Sequence, residues 1–188
     1  GRRRCDTCVD ALMCRLYRAD RLRQGDRIRS RMLAIGAPAP DFALDDDEGR
    51  TVSLADLLKS GPIVLYFYPA DFTPVCTAQA CMFRDWTHEL GAKGVRVVGI
   101  SPQGAASKRS FKQTHTLGFT LLADPRKEVI RAYGAAFVFG LFTRRVTYLI
   151  EPSEHGGVIA DRVVADLRVG PHRAFVERVI ARAAGVAP

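Results

Sequence analysis

Ile63-Val64-Leu65-Tyr66-Phe67-Tyr68, followed directly by Pro69-Ala70-Asp71-Phe72-Thr73-Pro74-Val75-Cys76, is the stretch whose reading decides the fold. The first six residues are an unbroken apolar run rich in β-favouring side chains, the pattern of a buried strand. Residues 77–90, stopped by Gly91 and Gly94, read as a helix. Cys76 therefore stands in the first turn of a helix at the carboxyl end of a buried strand. The unpaired amide donors of such a turn and the positive end of the helix dipole both favour an anion. A thiolate is such an anion and is the reactive form of cysteine. The place suits sulfur chemistry, and Cys81 follows five residues on.

Working outward, helix and strand signals alternate from Gly36 to the end of the chain. Residues 42–44 and 51–53 flank the acidic turn 45–49 and read as a short hairpin, with a short helix over 54–59. Beyond the helix at 77–90, the pattern predicts a second buried strand at 95–100 and a helix over 105–116. It then predicts a short edge strand at 121–124 and a short helix at 125–132. Strands at 146–150 and 158–164 join through a turn at 152–157, and a helix over 171–184 closes the chain. Such alternation is α/β architecture.

Length and composition set bounds around this core. The 188 residues suit one domain with a sizeable core, and 47% hydrophobic residues is an ordinary globular value. The net charge of +8 is unevenly spread: residues 1–35 carry +6 and residues 36–188 only +2. Basicity is therefore no argument that the main domain binds nucleic acid. We divide the chain into a basic N-terminal extension, 1–34, and a domain, 35–188. In the extension Val9, Leu12, Met13 and Leu16 recur at helical spacing, while Asp6, Asp10, Asp20 and Asp26 are against the type of a transit peptide. No stretch reaches the roughly 18 apolar residues of a membrane span. Five cysteines with this spacing do not resemble a secreted disulfide framework. The expected compartment is reducing: the cytoplasm, or an organelle if residues 1–34 are the remnant of a targeting piece.

Pro69, Thr73 and Cys76 form a Pro-x-x-x-Thr/Ser-x-x-Cys pattern that resembles the peroxiredoxin signature. The longer run Thr73 to Cys81, with Arg84-Asp85, resembles the Q-type, or bacterioferritin comigratory protein, branch, from which Val75 departs where that branch usually has glycine. Similarity extends from about Gly36 to the last helix. The resemblance implies a thioredoxin-like fold, a central mixed β-sheet flanked by helices. It implies a thiol peroxidase that reduces hydrogen peroxide and organic hydroperoxides without cofactor or metal, as a monomer or weak homodimer. Cys76 would attack the peroxide and Cys81 would resolve the sulfenic acid formed. Thioredoxin or a similar dithiol would then reduce the disulfide.

Three further residues complete the expected site. Thr73 lies within one turn of Cys76, where its hydroxyl can reach the sulfur or the peroxide, cap the helix, or do both. Pro69, like Pro74, stiffens the loop and lacks an amide donor. Arg145 resembles the family's active-site arginine in its place ahead of the strand at 146–150. A guanidinium, always charged and with five donors, suits a developing anion. Arg144 is adjacent, but side chains alternate along a strand, so only one of the two should face the site.

The spacing of the two thiols has a consequence of its own. Five residues along an α-helix separate Cα atoms by roughly 8 Å and rotate the side chains by roughly 140°. A disulfide tolerates roughly 4.4–6.8 Å. Cys76 and Cys81 can therefore bridge only if the first turns of their helix unwind.

Other readings stay open. A one-cysteine mechanism needs no partner for Cys76, and Cys81 is then a buried helix cysteine without a role. A thiol–disulfide oxidoreductase of the same fold would carry Cys-x-x-Cys at the helix start, where this chain has Gln79. A redox sensor or holdase would use the same reactive sulfur to pass oxidation to a partner. Cys5-x-x-Cys8 with Cys14 offers three ligands without a nearby histidine and no preceding strand, so we read these as thiols without a role. His88, His115, His155 and His172 show no metal spacing, and Trp86 reads as core or interface.

Overall fold

A computed structural model of the chain describes residues 32–137 and 140–185. Cys5, Cys8, Cys14 and nearly all of the basic segment lie outside the described residues. Among the described residues ten strands and five helices follow in chain order: β1 (Pro38–Ala39), β2 (Ala43–Asp46), β3 (Thr51–Ser53), α1 (Leu54–Leu58), β4 (Ile63–Phe67), α2 (Pro74–Ala92), β5 (Arg96–Ser101) and α3 (Ala105–His115). Then come β6 (Thr120–Ala123), α4 (Glu128–Ala132), β7 (Ala136–Phe137), β8 (Phe142–Thr143), β9 (Val146–Ser153), β10 (Gly156–Val164) and α5 (Gly170–Ala183).

Eight strands form one mixed sheet in the order β1-β10-β9-β4-β5-β6-β2-β3. β4, β5 and β6 run parallel, and β9 closes antiparallel on the other side of β4. All five residues of β4 are buried, as expected for a strand covered on both faces. Alternate residues serve the two faces. Val64, Tyr66 and Tyr68 join Cys76, Ala80 and Phe83 of α2, Phe111 of α3 and Phe175, Val176 and Val179 of α5 in one core. Phe67 on the opposite face meets Tyr133 and Tyr148, at ring-centroid distances of 5.2 and 6.2 Å.

The structure corrects several sequence expectations. The segment taken as a short edge at 121–124 is an interior strand, because β2 of the N-terminal hairpin adds antiparallel beside β6, Asp45 facing Ala123 and Asp46 facing Leu122. The turn expected at 152–157 is tighter: β9 runs to Ser153 and β10 begins at Gly156, whose φ of +109° suits glycine. The main helix starts at Pro74, three residues before the expected Thr77, because proline at its first turn forfeits no helical hydrogen bond. The short hairpin β7–β8 went unread, its strands being two residues each.

Candidate active site

Sheet register brings the parts of the site to one place. β4 and β9 pair antiparallel with Phe67 opposite Val146, so the chain leaves β4 toward Pro69 and Cys76 at the same sheet end where Arg145 enters β9. α2 begins at Pro74, which makes Cys76 the third residue of its first turn. The sulfur there is buried, at 1% exposure. Arg145, 2% exposed, donates from Nη2 to Cys76 Sγ at 3.2 Å.

The arginine is held from three sides. Its Nη1 donates to Gln79 Oε1, its Nε donates to the Asp166 carbonyl at 3.2 Å, and its backbone N–H donates to the Asp166 carboxylate at 2.9 Å. Arg144 faces the other way, donating from Nε and Nη2 to the Asp166 carboxylate at 3.1 and 2.8 Å. One aspartate thus orients two adjacent arginines, and only Arg145 reaches the sulfur.

Other expected residues are placed as follows. Thr73 is the N-cap of α2 by backbone geometry, yet its side chain caps nothing; it is exposed and its hydroxyl donates to the Ala70 carbonyl at 3.3 Å. Pro69 is half-buried at the end of β4. Cys81 is a half-buried free thiol on α2, and Cys76 is free as well. Because α2 runs unbroken through both positions, the geometry of a helix keeps them too far apart to bridge. Trp86 packs partly buried against the core. No group of three or more His, Cys, Asp or Glu among the described residues is arranged to hold a metal ion.

Sequence reasoning missed Gln79 and a buried polar cluster below the loop. Gln79 is one helical turn beyond Cys76, fully buried, and its Nε2 has no partner among the described residues. In the cluster, Lys108 of α3 donates to both oxygens of Asp71 at 3.0 Å and also to Ser101. Asp71 further accepts from Tyr68 Oη at 2.7 Å and from Ser107 Oγ at 2.6 Å. Burial pushes the Lys108 ammonium below the ordinary lysine value, with the Asp71 carboxylate pulling the other way. Burial likewise raises Tyr68 well above the ordinary phenol value. A signal for Lys108 existed: three residues before Phe111, it shares the buried face of α3.

His172, at the start of α5, is also buried. Its Nε2 faces the Ala165 carbonyl at 3.2 Å and its Nδ1 faces Thr147 Oγ1 at 2.9 Å. A carbonyl only accepts, so Nε2 carries the proton and Nδ1 accepts from the threonine. Burial pushes its pKa down from 6.5 to about 4.

Comparison with known proteins is consistent with this geometry. Residues 35–159 match the model of the AhpC/TSA family. Peroxiredoxin Q, chloroplastic, of Oryza sativa subsp. japonica is 44% identical over 127 residues, 67% of this chain and 58% of the rice protein. The chain therefore spans little more than half the length of that relative. A peroxiredoxin bcp of Coxiella burnetii is 42% identical over 125 residues, 63% of this chain and 82% of the other. The crystal structure of peroxidoxin BcpB from Mycobacterium tuberculosis superposes with a TM-score of 0.72 at 28% identity, covering 83% of this chain and 99% of that one. A cysteine-to-serine mutant of Xanthomonas campestris peroxiredoxin Q superposes at 0.70 and 25% identity, covering 80% of this chain and 97% of that one. The fold is thioredoxin-like.

Proposed function

The chain belongs to the AhpC/TSA family, and from that premise we propose that it is a thiol peroxidase of the two-cysteine peroxiredoxin kind, with Cys76 as the attacking sulfur and Cys81 as the resolving one. The observation that carries the reading is the 3.2 Å hydrogen bond from Arg145 Nη2 to Cys76 Sγ in the first turn of α2. The guanidinium and the helix end together stabilise negative charge on the sulfur and on the oxygen that departs.

In the first step the Cys76 thiolate attacks one peroxide oxygen. The O–O bond breaks, the other oxygen leaves with the electron pair and takes up a proton as water or alcohol, and the sulfur becomes a sulfenic acid. In the second, the Cys81 thiolate attacks the Cys76 sulfur, the S–O bond breaks and hydroxide leaves as water once protonated. The first turns of α2 unwind to allow this step. Thioredoxin or a similar dithiol then reduces the disulfide by exchange and is itself oxidised. Thr73 and Pro69 shape the peroxide pocket. The compartment expected for a thiol peroxidase is a reducing one: the cytoplasm, or an organelle such as the one named for the rice relative.

One detail argues against a general thiol–disulfide oxidoreductase. The position three after Cys76 is Gln79, whose carbonyl oxygen is engaged by Arg145. The test is steady-state peroxide consumption with thioredoxin by the parent, Cys76→Ser and Cys81→Ser. Cys76→Ser should be inactive, and Cys81→Ser should turn over once and then stall or over-oxidise. Full steady-state activity of Cys81→Ser would remove the resolving role.

A further inference from the structure

The segment that must unwind is fastened at both ends to a single helix, α3. Upstream, Asp71 is tied to Lys108 and Ser107; the side chains of the ion pair are 0% and 1% exposed. Next to it, Phe72 adopts a φ of +62°, a left-handed conformation that costs a non-glycine residue free energy. Its half-exposed ring lies edge-on to Phe111 of α3, centroids 5.2 Å apart, and 6.2 Å from the ring of His115. Downstream, Arg84 of α2 donates from Nη1 to the His115 carbonyl at the end of α3, at 3.0 Å. Residues 73–83, with both cysteines, lie between these ties.

The upstream tie belongs to the ordered arrangement. Phe72 holds its strained backbone only while neighbouring contacts over-determine it. Unwinding of residues 73–76 would start one residue beyond Phe72 and two beyond Asp71, the residues that the Phe111 and Lys108 contacts hold. Nothing in the peroxide chemistry otherwise requires a lysine buried at this point.

We propose that Lys108 is a positioning residue: through Asp71 it stabilises the ordered, peroxide-competent loop over the unwound one, and so sets the rate at which Cys81 resolves the Cys76 sulfenic acid. The proposal rests on the peroxidase reading and on Cys81 as resolving thiol. Under a two-state balance, weakening the tie raises the unwound population. The resolution rate then increases, and the reaction with peroxide falls by the fraction of ordered form lost. A merely structural role would slow both steps or change neither.

The experiment uses the full chain, reduced, in stopped flow with hydrogen peroxide, following the fluorescence of Trp86, the only tryptophan. Ser107→Ala removes one bond to Asp71 without altering charge, and Lys108→Met removes the ammonium. In Ser107→Ala the peroxide-independent resolution phase should accelerate by about two- to twelvefold, the span of one lost hydrogen bond. The peroxide-dependent phase should slow by less than that, and less sulfinate should form on Cys76 at a given peroxide concentration. Hydrogen exchange over residues 73–83 of the reduced protein should rise. Lys108→Met should exceed Ser107→Ala in each respect; if it does not fold, Ser107→Ala decides alone. An unchanged or slower resolution phase in folded Ser107→Ala overturns the proposal. Absence of a Cys76–Cys81 disulfide in the unsubstituted protein would overturn the resolving role of Cys81 and this inference with it, while absence of any peroxide consumption would overturn the peroxidase reading itself.

Discussion

Replacing Arg145 by methionine tests whether the buried guanidinium does chemistry or only fills space. The side chain is 2% exposed and ends 3.2 Å from a sulfur that is 1% exposed, so water has little opportunity to replace it. A hydrogen bond to a charged group contributes about 1.5–3 kcal/mol, and a charge pair at about 4 Å in an effective dielectric of about 20 gives roughly 4 kcal/mol. Taking about 2–4 kcal/mol as the share felt in the transition state, kcat/KM should fall by roughly 30- to 1,000-fold. Methionine keeps an apolar stem of similar length but leaves the Gln79 oxygen without its donor, so the variant should also lose about 1–3 kcal/mol of stability. Arg145→Lys should lie between the two, because an ammonium cannot serve sulfur and amide with the same planar fork. The assay is the second-order rate of peroxide consumption by reduced protein, with thermal unfolding measured in parallel. A folded Arg145→Met variant within threefold of the parent would refute the reasoning.

Two predictions concern the scaffold. His172 has a folded pKa pushed below its unfolded one, so its contribution is complete above pH 6.5 and is lost as pH falls from 6.5 to about 4. The loss amounts to about 3 kcal/mol; urea unfolding at pH 7 and pH 4 should show it in the parent and much less in His172→Gln, and equal losses would contradict it. Gly99→Ala would place a methyl carbon 2.7 Å from Tyr66 Cζ and Oη and 2.8 Å from Leu121 Cδ2. Overpacking of this kind costs about 1–3 kcal/mol, so the midpoint of thermal unfolding should drop; an unchanged midpoint would show that Tyr66 moves aside freely.

Legibility in the sequence followed the range of the interactions. β4 and α2 announce themselves by local pattern, an apolar run and a proline at the helix start, and their junction puts Cys76 in the first turn. That only one of Arg144 and Arg145 reaches the sulfur follows from a local rule, the alternation of side chains along a strand, whereas the choice of Arg145 rests on the family resemblance. The interior position of β6 depends on a partner strand more than 70 residues earlier, which no local pattern reveals. The Asp71–Lys108 pair spans 37 residues and breaks the expectation that lysine lies outside. The place of Thr73 within one turn of Cys76 puts its hydroxyl in reach of the sulfur, but the hydroxyl turns back to Ala70, a choice made by the loop's own conformation.

The central claim is tested most directly by adding one equivalent of hydrogen peroxide to the reduced protein and mapping its peptides by mass without reduction. The account predicts rapid formation of one disulfide joining Cys76 to Cys81. Sulfinate on Cys76 with Cys81 left as a thiol, or oxidation confined to Cys5, Cys8 and Cys14, would contradict it.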